Sequence, residues 1–200
     1  VANASLFTLN QTTFSKSAID YAYTKGTVVV ASLGEENSRQ TTTPAAANHT
    51  LTVHTVRYDG AAPDSSSTFL SFDTCSNFGA NLSLSVSSSS CGSDGAAKMA
   101  GILGLVHSSA SDLNLRLTAE EAMQIAKTTA DDIDVPESRV PDAPYRWSNT
   151  GFDQRFGYGR VEGPADQCTV DQLAADFIAS DGDIKALLRA LTTTEAFLYR

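Results

Sequence analysis

Residues 14–32 read FSKSAIDYAYTKGTVVVAS and join a predicted helix to a predicted buried strand. One face of the helix is expected to be apolar, through Phe14, Ala18 and Ala22 with Ile19 and Tyr23 beside them. Gly26 follows where a helix commonly ends, and the β-branched run 27–32 is typical of a strand buried on both faces of a parallel sheet. Because the segment 1–9 (VANASLFTL) predicts a strand before the helix, the start of the chain is a β-α-β unit.

Three more apolar stretches predict strands that are separated by turn residues. They are 51–58 (LTVHTVRY), 69–72 (FLSF) and 82–86 (LSLSV). In the first of them Leu51, Val53 and Thr55 alternate with Thr52, His54 and Val56, which predicts a strand. No long helix separates these strands, so the sheet continues through them.

A helix rich in small residues is predicted after the strands. The apolar segment 96–106 (AAKMAGILGLV) begins just after Ser93 and carries Gly101 and Gly104. Small side chains let a helix backbone approach its neighbours closely. The segment is therefore predicted to be a buried central helix.

The rest of the chain is predicted to contain helices, a loop over 131–149 and a short strand or turn over 156–161. A capping box that begins at Thr118 predicts a helix over 119–130. After Gly163, two apolar stripes at helical spacing predict a hairpin of helices over 167–200. The predicted organisation is an α/β domain, 1–166, followed by this C-terminal helical segment.

The composition excludes two classes of partner. The sequence has 14 Lys and Arg against 23 Asp and Glu, a net charge of −9, so it offers no basic patch to a nucleic acid. No apolar run is long enough to span a membrane, and no signal peptide is recognisable. The chain opens with Val1 inside a predicted strand.

The three cysteines suggest an exported protein. A disulfide between Cys75 and Cys91 would close a short loop, and two buried thiols are the alternative. Cys168 stands apart from both. No cysteine or histidine spacing fits structural zinc.

Five segments, in matching order and spacing, resemble the subtilase family of serine peptidases over 1–166. They are 1–6 (VANASL), 15–32 (SKSAIDYAYTKGTVVVAS), 44–56 (PAAANHTLTVHTV), 72–86 (FDTCSNFGANLSLSV) and 156–166 (FGYGRVEGPAD). The resemblance implies a partial subtilisin-like fold, a largely parallel sheet with helices on both faces. It also implies that Asn3, Ser5 and Leu6 border a cleft for an extended peptide.

The resemblance implies that Ser93 is the nucleophile. The stretch 91–101 (CGSDGAAKMAG) matches the family motif Gly-Thr-Ser-x-Ala-x-Pro and the Ala-Gly that follows it, but only the serine and the Ala-Gly are retained, and Ala97 stands where the family has proline. The family's Asp and His precede the strand at which this chain begins, so the chain alone is expected to be inactive. His49, His54 and His107 are expected to be structural or exposed histidines. Lys98 is not expected to act as the base for Ser93.

The oxyanion hole departs from the family pattern. Glu35 stands where the resemblance implies an asparagine donor, and a carboxylate there would repel a developing oxyanion. Asn37 could replace that donor only if the loop shifted. Two functions therefore remain open: a fragment of a serine endopeptidase, or a non-catalytic module that binds peptides.

The resemblance also bears on cofactors, partners and location. Subtilases often carry structural calcium. The sequence has two acidic clusters, Asp131, Asp132 and Asp134, and then Asp181 and Asp183. Neither cluster matches a calcium loop, so solvated surface residues are the preferred interpretation. No cofactor is therefore expected. The expected partners are a peptide or protein substrate and the N-terminal half of the catalytic domain, and the expected location is secreted or periplasmic.

Residues 168–200 (CTVDQLAADFIASDGDIKALLRALTTTEAFLYR) resemble the end of a bacterial domain of unknown function. This likeness assigns no chemistry.

Overall fold

The computed structural model describes residues 1–58, 69–72, 75–88, 90–133 and 151–161. The strands are β1 (Ala2–Ala4), β2 (Val29–Ser32), β3 (Thr50–Tyr58), β4 (Phe69–Phe72), β5 (Leu84–Ser87) and β6 (Arg160–Val161). The helices are α1 (Thr13–Thr24), α2 (Gly92–Asp112) and α3 (Ala119–Thr128). The predicted loop after residue 133, the division near Gly163 and the helical segment 167–200 lie outside the described residues.

The sheet has the order β1-β2-β3-β5-β6, and each of these neighbouring pairs is parallel. β4 pairs antiparallel with the far part of β3. Parallel neighbours need crossover connections, and α1 supplies the one between β1 and β2. The predicted α/β architecture is therefore confirmed.

Helices cover both faces of the sheet. Val28 and Val30 share a core with α2 and α3, which contribute Met99, Leu103 and Met123. Val29 points to the other face, because successive side chains of a strand alternate, and there it packs with Ile19 of α1 and with Ala47. The buried run that the sequence predicts for β2 is confirmed, since all four of its residues are buried.

One detail of the predicted packing is wrong. Phe14, which is 83% exposed, and Ala18 lie outside the core, whereas Ile19 and Ala22 pack against Val29 and Tyr23 packs against the main core. Along residues 51–56 of β3 both faces are buried. Two polar side chains there find partners: Thr52 Oγ1 donates to Ala45 O at 3.2 Å, and His54 lies 3.1 Å from Asn77 O.

The close approach of α2 to the sheet uses different glycines from those expected. Gly101 and Gly104 are exposed, and a Cβ added at either would meet nothing within 4 Å. A Cβ at Gly95 would instead lie 2.8 Å from Thr55 Cγ2. The backbone of α2 is therefore closest to β3 near the start of the helix, beside Ser93.

The capping box predicted before α3 is present. Thr118 Oγ1 accepts from the Glu121 N–H, and the Glu121 carboxylate accepts from the Thr118 N–H. Gly26, with φ +79°, takes the left-handed conformation expected after α1. Within the described ranges, none of the helices has the length and apolar character needed to cross a membrane.

Candidate active site

Ser93 lies one residue inside the start of α2, where backbone N–H groups have no acceptor within the helix. Gly92 precedes it, and a Cβ there would lie 2.6 Å from Ser32 Oγ at the end of β2. A larger residue would have to displace Ser32 or the helix start. The sheet and the helix thus present the half-buried Ser93 beside the carboxyl end of β2.

One carboxylate oxygen of Glu35 contacts Ser93 twice. Ser93 Oγ donates to Glu35 Oε1 at 2.5 Å, and the Ser93 backbone N–H donates to the same oxygen at 3.0 Å. In acyl transfer, an N–H at such a helix start is suited to stabilise the oxyanion of a tetrahedral intermediate. Glu35 therefore engages both the hydroxyl and the N–H that acyl transfer at Ser93 would need.

The loop that carries Glu35 is held by Asn77, a residue that the sequence analysis does not single out. Asn77 Oδ1 accepts from the N–H groups of Glu36 and Ser38, each at 3.0 Å, and its Nδ2 donates to Glu36 Oε2 at 2.5 Å. The same Glu36 oxygen accepts from the Glu35 N–H at 3.1 Å. The short sequence Ser-Asn-Phe-Gly around Asn77 lies in one of the segments that resemble the family and has turn character, and neither property indicates a role for Asn77.

Of the expected cleft residues, Ser5 contacts Ser93 directly. Ser5 Oγ donates to the Ser93 carbonyl oxygen at 2.6 Å and lies 3.1 Å from Asn3 Oδ1. Leu6 is 61% exposed. Among the strands that the structure describes, β1 pairs only with β2, so its other edge is open.

Asn37 does not take the place of the missing amide donor. It is exposed, has φ +48°, and forms no hydrogen bond with Ser93. Lys98 is not placed as a base either. Its ammonium lies 3.1 Å from Asp94 Oδ2 and donates to Ser87 O at 3.3 Å. A hydrogen bond from Ser88, together with this ammonium, lowers the pKa of Asp94.

None of the three histidines of the sequence hydrogen-bonds to Ser93. His49 lies 2.8 Å from Asp20 and stacks on Tyr23 with ring centroids 4.0 Å apart. His54 is fully buried, between Asn77 O at 3.1 Å and Ser85 Oγ at 2.7 Å. His107 lies far along α2, and desolvation lowers its pKa.

His54 makes the fold sensitive to acid. Burial, together with the nearby positive charge of Arg155, lowers the pKa of His54 from 6.5 to about 4, against a hydrogen bond with Asn77 that raises it. The unfolded chain therefore binds this proton at a higher pH than the folded chain. We expect the free energy of unfolding to fall by on the order of 3 kcal/mol as the pH drops from 6.5 to 4.

Urea denaturation at a series of pH values measures this effect. His54→Gln should flatten the loss between pH 6.5 and 4, whereas His49→Gln, at an exposed site, should keep it. An unchanged slope in His54→Gln would show that other groups cause the acid sensitivity.

A disulfide joins Cys75 to Cys91, with 5.5 Å between their Cα atoms. It connects the segment of Asn77 to the N-cap residue of α2, two residues before Ser93. Neither cysteine takes part in the hydrogen bonds between Ser93 and Glu35. Their bond ties the two parts of the site into one covalent frame.

Removing this disulfide should destabilise the chain. The bond closes a loop with a sequence separation of 16, for which the loss of chain entropy on cross-linking predicts about 3 kcal/mol. The double variant Cys75→Ser and Cys91→Ser should unfold at a lower urea concentration than the parent. Cys168→Ser, the same change elsewhere in the chain, serves as the matched control. Equal midpoints for all three proteins would contradict the expectation.

The acidic residues near the end of α3 are used by the fold. Asp132 accepts from the Gly151 N–H at 2.7 Å, and Asp131 lies 3.6 Å from the Arg160 guanidinium. Within the part of the chain that the structure describes, no group of three His, Cys, Asp or Glu side chains is arranged to hold a metal ion. Asp134, Asp181 and Asp183 lie outside that part.

Solved structures share this fold. The protein described as S41 psychrophilic protease matches with a TM-score of 0.59 and 17% identity, over 80% of this chain and 56% of its own. Sphericase matches with 0.60 and 15% over the same shares, and the prenylagaramide maturation protease PagA with 0.55 and 14% over 95% and 61%. The chain therefore spans 56% to 61% of the length of these relatives. No curated protein matches it.

Two family models match parts of the chain. The model of a protein of unknown function (DUF1585) matches residues 154–197, which confirms the likeness noted for the C-terminal segment. The model of the subtilase family matches residues 1–159. Since that match covers most of the chain and agrees with the parallel sheet and the position of Ser93 at a helix start, this chain belongs to the subtilase family.

Proposed function

We propose that this chain is the nucleophile-bearing half of a serine endopeptidase domain, in which Ser93 is the nucleophile and Glu35 holds it in a resting state. One observation carries the proposal: the hydroxyl and the backbone N–H of Ser93 both donate to the same Glu35 oxygen. These are the two groups that acyl transfer requires at a nucleophilic serine. Membership of a peptidase family supports peptides or proteins as the substrate class.

In the proposed reaction, Ser93 Oγ attacks a peptide carbonyl while a base removes its proton. The carbonyl oxygen becomes the oxyanion and needs the Ser93 N–H, which Glu35 occupies in the resting state. Because none of the three histidines hydrogen-bonds to Ser93, we propose that the base and the carboxylate that orients it come from the other half of the domain. Glu35 must leave the N–H before the oxyanion can form.

The open edge of β1 supports an extended peptide as the ligand. An unpaired strand edge offers N–H and C=O groups to a further strand. Ser5 connects the end of β1 to the Ser93 carbonyl at 2.6 Å, so a peptide on this edge would lie next to the nucleophile. The exposed Leu6 and Phe7 would then contact its side chains.

A second candidate function is peptide binding without cleavage. The Glu35 contacts favour it, because a carboxylate beside Ser93 repels the negative charge of a tetrahedral intermediate. In this case the cleft would keep its affinity for extended peptides although Ser93 does not react.

Labelling with a fluorophosphonate serine-hydrolase probe separates the two candidates. The proteins to compare are the chain, its Ser93→Ala variant, and a form extended upstream through the Asp and His segments. Labelling of the extended form that disappears in Ser93→Ala is the result expected for the peptidase. No labelling of a folded extended form, together with retained binding of a fluorescent peptide library, would support the binding module.

We also propose that the protein acts outside the cytoplasm and that residues 167–200 form a separate segment after the peptidase part. The Cys75–Cys91 disulfide supports the first point, because such bonds persist in oxidising compartments. The match of a second family model to residues 154–197 supports the second. Mass spectrometry of the protein purified from its natural host, without reduction, would test for the disulfide.

A further inference from the structure

We infer that Asn77 is a positioning residue that holds the Glu35 carboxylate against Ser93. The inference rests on the resting state proposed above and identifies what maintains it. Glu35 is only half-buried, and its own contacts are the two from Ser93 and the one from its N–H to Glu36. A carboxylate on a surface loop stays at one hydroxyl only if the loop is fixed by another part of the fold.

Asn77 supplies that fixation with its side-chain amide and its backbone N–H. Its side chain is fully buried, and it binds the loop through the Oδ1 and Nδ2 contacts to Glu36 and Ser38 described above. Its backbone N–H donates to Gly34 O at 3.1 Å, and its Nδ2 also lies 3.4 Å from Leu33 O. The loop is thus bound on both sides of Glu35.

Gly34 shows how closely the two segments fit. Its φ of +119° lies in the region that favours glycine, and a Cβ there would lie 2.4 Å from Asn77 Nδ2 and 2.9 Å from Glu36 Oε2. The Glu36 oxygen in turn accepts from the Glu35 N–H. The Glu36 carboxylate therefore links the side chain of Asn77 to the backbone of Glu35.

The segment of Asn77 is itself anchored to the nucleophile. The disulfide joins Cys75 to Cys91, and the carbonyl oxygen of Asn77 lies 3.1 Å from the buried His54. When the loop is bound to Asn77, Glu35 is consequently held in a frame that also contains the start of α2. The position of Glu35 relative to Ser93 follows from this connection.

Amide hydrogen exchange at Ser93, followed by NMR on the full chain, reads this contact directly. The Ser93 N–H lies at a helix start, and Glu35 is its acceptor. Asn77→Asp keeps the size of the side chain but turns its donor toward Glu36 into a second carboxylate, so the loop should open. We expect exchange at Ser93 to accelerate roughly tenfold to a hundredfold. That factor corresponds to the free energy that a hydrogen bond to a charged group usually contributes.

Glu35→Ala should accelerate exchange at Ser93 to the same extent, and Asn81→Asp, the same change at an exposed site of the same segment, should leave it unchanged. If Asn77→Asp accelerates exchange throughout α2, that variant has lost more than the loop contact. Glu36→Ala then tests the same contact by removing the carboxylate that joins Asn77 to Glu35. Unchanged exchange at Ser93 in a folded Asn77→Asp variant would overturn the inference. If that variant unfolds, unchanged exchange at Ser93 in Glu36→Ala would overturn it. Probe labelling is measured separately, so a failed peptidase assignment would appear there and not in the exchange data.

Discussion

Glu35→Asn is expected to raise the rate at which a fluorophosphonate labels Ser93 by about 10²- to 10³-fold in the upstream-extended form. The substitution removes a negative charge that lies 2.5 Å from Ser93 Oγ and 3.0 Å from its N. It also places an amide donor where the oxyanion forms. A single donor of this kind typically changes acyl-transfer rates by that factor.

Three variants make the result specific. Ser93→Ala should abolish labelling, and Glu35→Ala, which frees the Ser93 N–H without adding a donor, should give an intermediate rate. Asp112→Asn removes the same charge at an exposed position at the end of α2 and should change nothing. Equal labelling rates in Glu35→Asn and the parent would show that Glu35 does not restrain the nucleophile.

The sequence predicts the scaffold of this site because its signals are local. Helical spacing before Gly26 and the β-branched run 27–32 identify the β-α-β unit without knowledge of the rest of the chain. The family resemblance then implies that Ser93 is the nucleophile and that Glu35 stands at the oxyanion-hole position. The structure adds their contact, which depends on how a loop and a helix start, 58 residues apart, meet.

Asn77 could not be found in this way, because its role depends on distant partners. It lies 41 residues from Glu36, and its own neighbourhood reads as an ordinary turn. The stripe expected at Phe14 failed for a related reason. Periodicity identifies a helix, but the neighbours Val29 and Ala47 decide that Ile19 is the residue it buries.

Leu103→Ala is expected to lower the free energy of unfolding by about 2 to 5 kcal/mol. Leu103 is fully buried in the core that α2 and α3 share with the sheet, beside Met99 and Val30. Its loss removes apolar contacts and leaves a cavity that close-packed neighbours fill only in part. Urea denaturation measures the loss. Leu113→Ala, the same change at a residue that is 71% exposed, should cost much less.

The same variant separates packing from chemistry at the nucleophile. Leu103 lies ten residues beyond Ser93 on α2, whereas the helix start is held by the Cys75–Cys91 disulfide and the Glu35 contacts. Exchange at Ser93 in folded Leu103→Ala should therefore rise only by the amount that global unfolding requires. A larger local increase at Ser93 would show that the body of α2, and not the loop at its start, keeps Glu35 in place.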